Sequence, residues 1–79
     1  MKNSYEDHIH SDPDIMLGKP VIKGTRIPVE LILRKLGGGM EIKELLRAYP
    51  HITREDILAA ISYSAEVIGT EEMVEPADK

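Results

Sequence analysis

The sequence predicts a mainly α domain, with a small N-terminal β-hairpin or sheet followed by three helices in a helix-turn-helix bundle. Three observations carry that expectation. The run Gly18-Lys19-Pro20-Val21-Ile22-Lys23-Gly24-Thr25-Arg26-Ile27-Pro28-Val29 sets two short apolar pairs around a Lys-Gly-Thr turn, a hairpin signal in which glycine can take a positive φ. Three later stretches repeat apolar residues at helical spacing. Only Pro50-His51-Ile52 separates the second stretch from the cap of the third. A short turn between two amphipathic helices, with another helix ahead of them, is the helix-turn-helix layout.

Each element has its own local reason. His8-Ile9-His10-Ser11 reads as a short strand, and Asp12-Pro13-Asp14 as a turn whose carboxylates can accept from nearby backbone N–H groups. With the pairs Val21-Ile22 and Arg26-Ile27, three short strands would make a small sheet. A lone hairpin is marginal in water, so this one is expected to lie on the helices or pair with a second chain. Pro28 suits the first turn of a helix. Val29, Ile32, Leu33 and Leu36 give that helix one apolar face, and Gly37-Gly38-Gly39 ends it. Ile42, Leu45, Leu46 and Tyr49 repeat the pattern before Pro50 closes the second helix.

Thr53 is an N-cap followed by Arg54, Glu55 and Asp56. The acidic pair suits the positive end of the helix dipole, and Asp56 is a short version of the capping-box glutamate. The third helix is expected to turn Ile57, Leu58, Ile61, Ala65 and Ile68 inward and to run to about Val67 or Ile68, with Gly69 as its stop. Ile52 is expected to plug the turn into the core. The expected organisation is a flexible N-terminus over 1–7, one domain over 8–69, and an acidic, disordered tail over 70–79.

Size and composition limit what this domain can be. The chain has 79 residues and no cysteine, so neither disulfides nor thiolate metal sites reinforce it. Its aromatic residues are Tyr5, Tyr49 and Tyr63, without Phe or Trp, which points to a core of Leu, Ile and Val. A domain this small buries only about 60% of its unfolded surface, so association with a second copy or another protein is expected to add stability. No apolar stretch approaches the roughly 20 residues that span a bilayer. The first seven residues hold no signal-peptide core, and a cytoplasmic protein is expected.

The formal net charge is −4, unlike that of a simple nucleic-acid binder, but it is unevenly spread. Residues 19–54 hold eight basic against three acidic residues, a net +5, while both ends are acidic. Such asymmetry marks either a nucleic-acid face with acidic flanks or an ordinary solvated surface.

The run 18–29 resembles the signature of the prokaryotic "domain of unknown function 433" family. So do Gly39-Met40 leading to Glu44, then Leu45-Leu46, Tyr49-Pro50, Ile52-Thr53, and Asp56-Ile57-Leu58-Ala59-Ala60. The resemblance covers roughly residues 8–68. It implies a homeodomain-like helix-turn-helix preceded by a hairpin. Many members of that family look like antitoxins of type II toxin–antitoxin modules, which repress their own operon as dimers and neutralise a small PIN-type nuclease toxin by contact. One departure stands out. Antitoxins that plug PIN-type active sites often present an arginine, whereas the tail here is acidic with Lys79 its only cation. The third helix or the hairpin is therefore the expected toxin contact.

The candidate DNA contacts are Lys19, Lys23, Arg26, Arg34, Lys35, Lys43, Arg47, Thr53 and Arg54. In a helix-turn-helix the second helix of the pair enters the major groove by its N-terminal end, which here carries Thr53, Arg54, Glu55 and, one turn on, Leu58. Arg54 could reach a guanine or a phosphate; in the other reading, residues 54–56 are a solvated, well-capped helix start. The competing element is the basic hairpin, with Lys19, Lys23 and Arg26 joined by Arg34 and Lys35. Gly18, Pro20, Gly24, Thr25, Arg26 and Pro28 form the structural motif. Arg26 is expected to use its five donors on the 12–14 turn, a geometry lysine could not copy.

His8, His10 and His51 are expected to be exposed polar residues, since the ligand sets of zinc sites are missing. No cofactor is expected. Gly37-Gly38-Gly39 follows a helix instead of opening one after a strand, so it is no phosphate loop. Nothing suggests a nucleophile–base pair, and no enzymatic activity is expected. The partners expected are a PIN-type toxin, operator DNA and a second copy; the alternative is a protein-interaction module on the same scaffold with no DNA role.

Overall fold

A computed structural model describes residues 4–14 and 16–69. Two strands, β1 (Ile9–His10) and β2 (Val21–Ile22), precede three helices, α1 (Val29–Gly37), α2 (Ile42–Ala48) and α3 (Arg54–Gly69). The expected fold class holds, a small antiparallel sheet followed by a mainly helical body.

The sheet is built differently from the local hairpin. β2 pairs with β1, Ile9 opposite Ile22 and His10 opposite Val21, and Lys23 N–H extends the ladder to the His8 carbonyl at 2.7 Å. Arg26-Ile27 is not a strand. Its side of the turn keeps only single contacts: Ile22 N–H to Ile27 C=O, Val29 N–H to Pro20 C=O, both 2.9 Å, and a lone bridge between Val21 and Pro28. Pro28 has no N–H to donate, so this ladder cannot lengthen. The turn itself is tight. Thr25 N–H bonds to Ile22 C=O at 2.9 Å, and Gly24 takes φ +84°. The Asp12 carboxylate accepts from Asp14 N–H at 2.8 Å, as the turn chemistry predicts.

Pro28 stands one position earlier than expected, as the extended residue before α1 (φ −70°, ψ 145°). α1 ends in a Schellman turn, with Met40 N–H on Lys35 C=O at 3.0 Å and Gly39 N–H on Leu36 C=O at 3.0 Å. Gly39 takes φ +103° to allow it. α2 opens with the Glu44 carboxylate accepting from Glu41 N–H at 2.8 Å. α3 opens with the reciprocal pair the sequence predicts. Asp56 N–H donates to Thr53 Oγ1 (3.1 Å), and Thr53 N–H donates to Asp56 Oδ2 (2.9 Å).

The core joins Ile22, Val29, Ile32, Leu45, Ile52, Ile57 and Ala60, all buried. Ile52 plugs the helix-turn-helix turn as expected. Burying each large aliphatic side chain contributes about 1.5–3 kcal/mol. Residues 4–7, part of the stretch expected as a flexible N-terminus, form a 3-10 turn, and the Tyr5 ring meets Tyr63 edge-on at 5.4 Å. The acidic tail lies outside the described residues.

One expectation about α3 fails. Of the five residues expected inward, only Ile57 is buried, joined by Ala59 and Ala60; Leu58 (40% exposed), Ile61 (41%), Ile68 (67%) and Ala65 face solvent. Apolar residues occur all round this helix, so spacing alone could not choose the side that α1, α2 and the N-terminal segment would cover. The helix also includes Gly69, which was expected to stop it.

Candidate functional site

The basic residues of the middle segment separate into two groups. Three are held by acids. Lys19 Nζ lies 3.0 Å from Glu30 Oε1, and Arg34 Nη2 lies 3.3 Å from Glu30 Oε2, one turn along α1. The hydrogen bond and charge of Lys19, then those of Arg34, hold the Glu30 carboxyl below its ordinary range. Lys43 Nζ stands 3.8 Å from Glu41. Lys23, Arg26, Arg47 and Arg54 are exposed, and Lys35 half-buried, with no ion pair among the described residues.

Arg26 departs from its expected structural role. It is exposed and makes no hydrogen bond to the 12–14 turn. That loop is closed instead by Ser11 Oγ–H on the Gly18 carbonyl (2.6 Å). Thr25 is the structural residue of the motif. Its hydroxyl donates to Ile22 C=O at 2.7 Å and accepts from Ile27 N–H at 2.9 Å, fixing the turn that carries Arg26 outward.

The turn places Arg26 on an open groove of about 570 Å³, together with His10, Gly24, Thr25, Ile27 and His51. His51 belongs to the helix-turn-helix turn, three residues before Arg54. The groove is thus bordered by the hairpin turn and by the turn that precedes α3, while Thr53, Arg54, Glu55 and Leu58 are not among its lining residues. Its floor is largely apolar, and Asp12 Oδ2 lies 3.8 Å from His10 Nε2 at its edge. Thr53 differs: its hydroxyl oxygen is taken up by the α3 cap.

Sequence reasoning missed one pair. His8, expected to be exposed, is half-buried, and its Nδ1 sits 2.7 Å from Asp56 Oδ1. Asp56 therefore caps α3 with one oxygen and holds the start of β1 with the other. The available signal was the Asp56 carboxylate itself, whose second oxygen the cap leaves free. Among the described residues no group of three or more potential metal ligands occurs, and no helix is long and apolar enough to cross a membrane.

The structure is a short antiparallel sheet on a helix-turn-helix body, with an open groove beside the turn that carries Arg26. The chain belongs to the family described as "Protein of unknown function (DUF433)", whose profile matches residues 9–64. It is similar to a crystal structure of a DUF433 member protein from Anabaena variabilis ATCC 29413, at 34% identity and a TM-score of 0.76, covering 82% of this chain and 64% of that one. It is also 36% identical over 56 residues to "Uncharacterized protein y4eO" of Sinorhizobium fredii (strain NBRC 101917 / NGR234). That stretch is 71% of this chain but only 25% of the relative's length.

Proposed function

We propose that this chain is an antitoxin-like regulator of a type II toxin–antitoxin module, acting in the cytoplasm as a dimer that holds operator DNA and a PIN-type toxin, without catalysis of its own. The toxin half rests on the family resemblance. The DNA half rests on one observation: Arg26, exposed and without an ion pair among the described residues, borders an open groove together with His10 of β1 and His51 of the turn before α3. Counting Lys23 and Arg26 on each protomer, a dimer would neutralise about four phosphates and lose about a hundredfold in affinity between about 50 and 200 mM salt.

Titration of DNA from upstream of the gene tests this reading directly. Arg26→Glu with Lys23→Glu should abolish the shift, and Arg54→Glu should weaken it. Unchanged affinity in all of these, or no salt dependence, ends the DNA half. Coexpression with a neighbouring toxin tests the other half: unrelieved growth arrest ends it.

A second reading, a protein-interaction module without a DNA role, is favoured by α3 itself. Beyond Arg54 its outward face offers Leu58, Ile61 and Ala65, with Glu55 and Glu66 beside them, which suits a protein surface better than a phosphate backbone. Capture of a stoichiometric partner by a chain that shifts no DNA would select that reading.

A further inference from the structure

We infer that the outward stripe of α3 is the seat of a second copy of this chain, the two helices packing antiparallel. This rests on the dimeric part of the reading above and names the surface.

The stripe runs Arg54, Leu58, Ile61, Ala65, Ile68, alternating steps of four and three, the spacing of a coiled-coil seam. Leu58, Ile61 and Ile68 are 40%, 41% and 67% exposed, large apolar residues that a monomer leaves in water. The stripe is self-complementary when reversed. An antiparallel copy centred on Tyr63 sets Leu58 against Ile68 and Ile61 against the small Ala65. All four apolar positions are then covered in matched layers.

Two hollows flank the stripe and fit this arrangement. One, of about 350 Å³, is lined by Ser62, Ala65, Glu66 and Gly69, where Ile61 of the second copy would enter. The other, of about 230 Å³ and almost wholly apolar, lies between α1 and the end of α3, lined by Pro20, Leu33, Tyr63 and Ile68 among others. It receives Leu58 of the second copy. Charge selects the same direction. Arg54 stands at one end of the stripe. The other end is the negative end of the helix dipole. Antiparallel packing sets opposite charges together, whereas parallel packing would stack Arg54 on Arg54.

A helix of 16 residues is about 24 Å long. Its stripe and the adjoining groove fall short of the roughly 800 Å² per partner of a standard interface. The association expected is therefore a reversible one, with dissociation in the micromolar range.

Sedimentation of the full chain tests the proposal. The wild type is expected to shift toward twice the monomer mass as concentration rises to the order of 100 μM. Ile61→Glu, at a position already 41% exposed, is expected to keep its helical circular dichroism while weakening the dimer about a hundredfold. Because the chain has no cysteine, register is read directly. Oxidised mixtures of Leu58→Cys and Ile68→Cys chains should cross-link, and Leu58→Cys alone should not. A wild type that stays monomeric overturns the proposal, as does an Ile61→Glu chain that still dimerises or preferential Leu58→Cys self-cross-linking. So does a monomeric wild type whose toxin capture is lost in Ile61→Glu, since that assigns the stripe to another protein. A dimer that binds neither DNA nor toxin upholds this inference and ends the antitoxin reading. A monomer that binds both does the reverse.

Discussion

His8 Nδ1 and Asp56 Oδ1 meet at 2.7 Å across 48 residues of chain, and the other oxygen of the same carboxylate caps α3. Asp56→Ala removes the reciprocal cap and the tie to β1 together, and should cost about 1–2 kcal/mol. His8→Ala removes only the tie. In urea unfolding, the double variant should therefore lose less than the two singles combined, a coupling of about 0.5–1 kcal/mol. Strict additivity would mean that the pair contributes nothing to the folded state.

Two glycines at the end of α1 separate backbone strain from packing. A Cβ at either Gly37 or Gly39 meets nothing within 4 Å, but only Gly39 has a positive φ, +103°. Gly37→Ala should stabilise by about 0.5–1 kcal/mol, as alanine does within a helix. Gly39→Ala should destabilise by about 1–3 kcal/mol. Thermal melts of the two variants moving in the same direction would contradict the Schellman turn.

Leu45 is fully buried at the meeting of the helices. Leu45→Ala should cost about 2–5 kcal/mol, a large part of what a small domain holds in reserve. Loss of most helical circular dichroism near 37 °C is expected. By contrast, Leu58→Ala on the exposed stripe should leave the monomer's melting curve nearly unchanged.

The Glu30 carboxyl, held low by Lys19 and Arg34, makes a pH prediction with a definite sign. A depressed carboxylate favours the folded state above its unfolded pKa, and that contribution fades as pH falls through the lowered folded value. The group is exposed, so the effect on stability is small and screened by salt. Carboxyl NMR should place the Glu30 titration below the ordinary glutamate range. Lys19→Met should move it up further than Arg34→Met does.

Helix positions were legible because their causes are local. Val29, Ile32 and Leu33 mark one face of α1, the glycines end it, and Thr53 with Asp56 starts α3. What escaped was set by distant chain. The partner of Val21-Ile22 is Ile9-His10, not the nearer Arg26-Ile27, because Pro28 stops the local ladder while β1 is brought in from behind by His8 and Tyr5. The inward side of α3 escaped because Leu58 and Ile61 are as apolar as Ile57. Arg26 looked structural because a guanidinium can satisfy a turn; in the fold Thr25 and Ser11 do that work, and Arg26 is left for the groove.

The attachment of the N-terminal segment to α3 also sets an order of events. Tyr5, His8 and Ile9 find Tyr63, Asp56 and β2 in the finished fold. The first of these links closes a loop of nearly sixty residues, at an entropic cost on the order of 4 kcal/mol. It cannot form until α3 has left the ribosome. Tyr5 and His8 therefore wait for their partners longer than Ile9, which meets Ile22 only 13 residues further on. A protease that samples local openings of the fold would meet the N-terminal segment before the helical core.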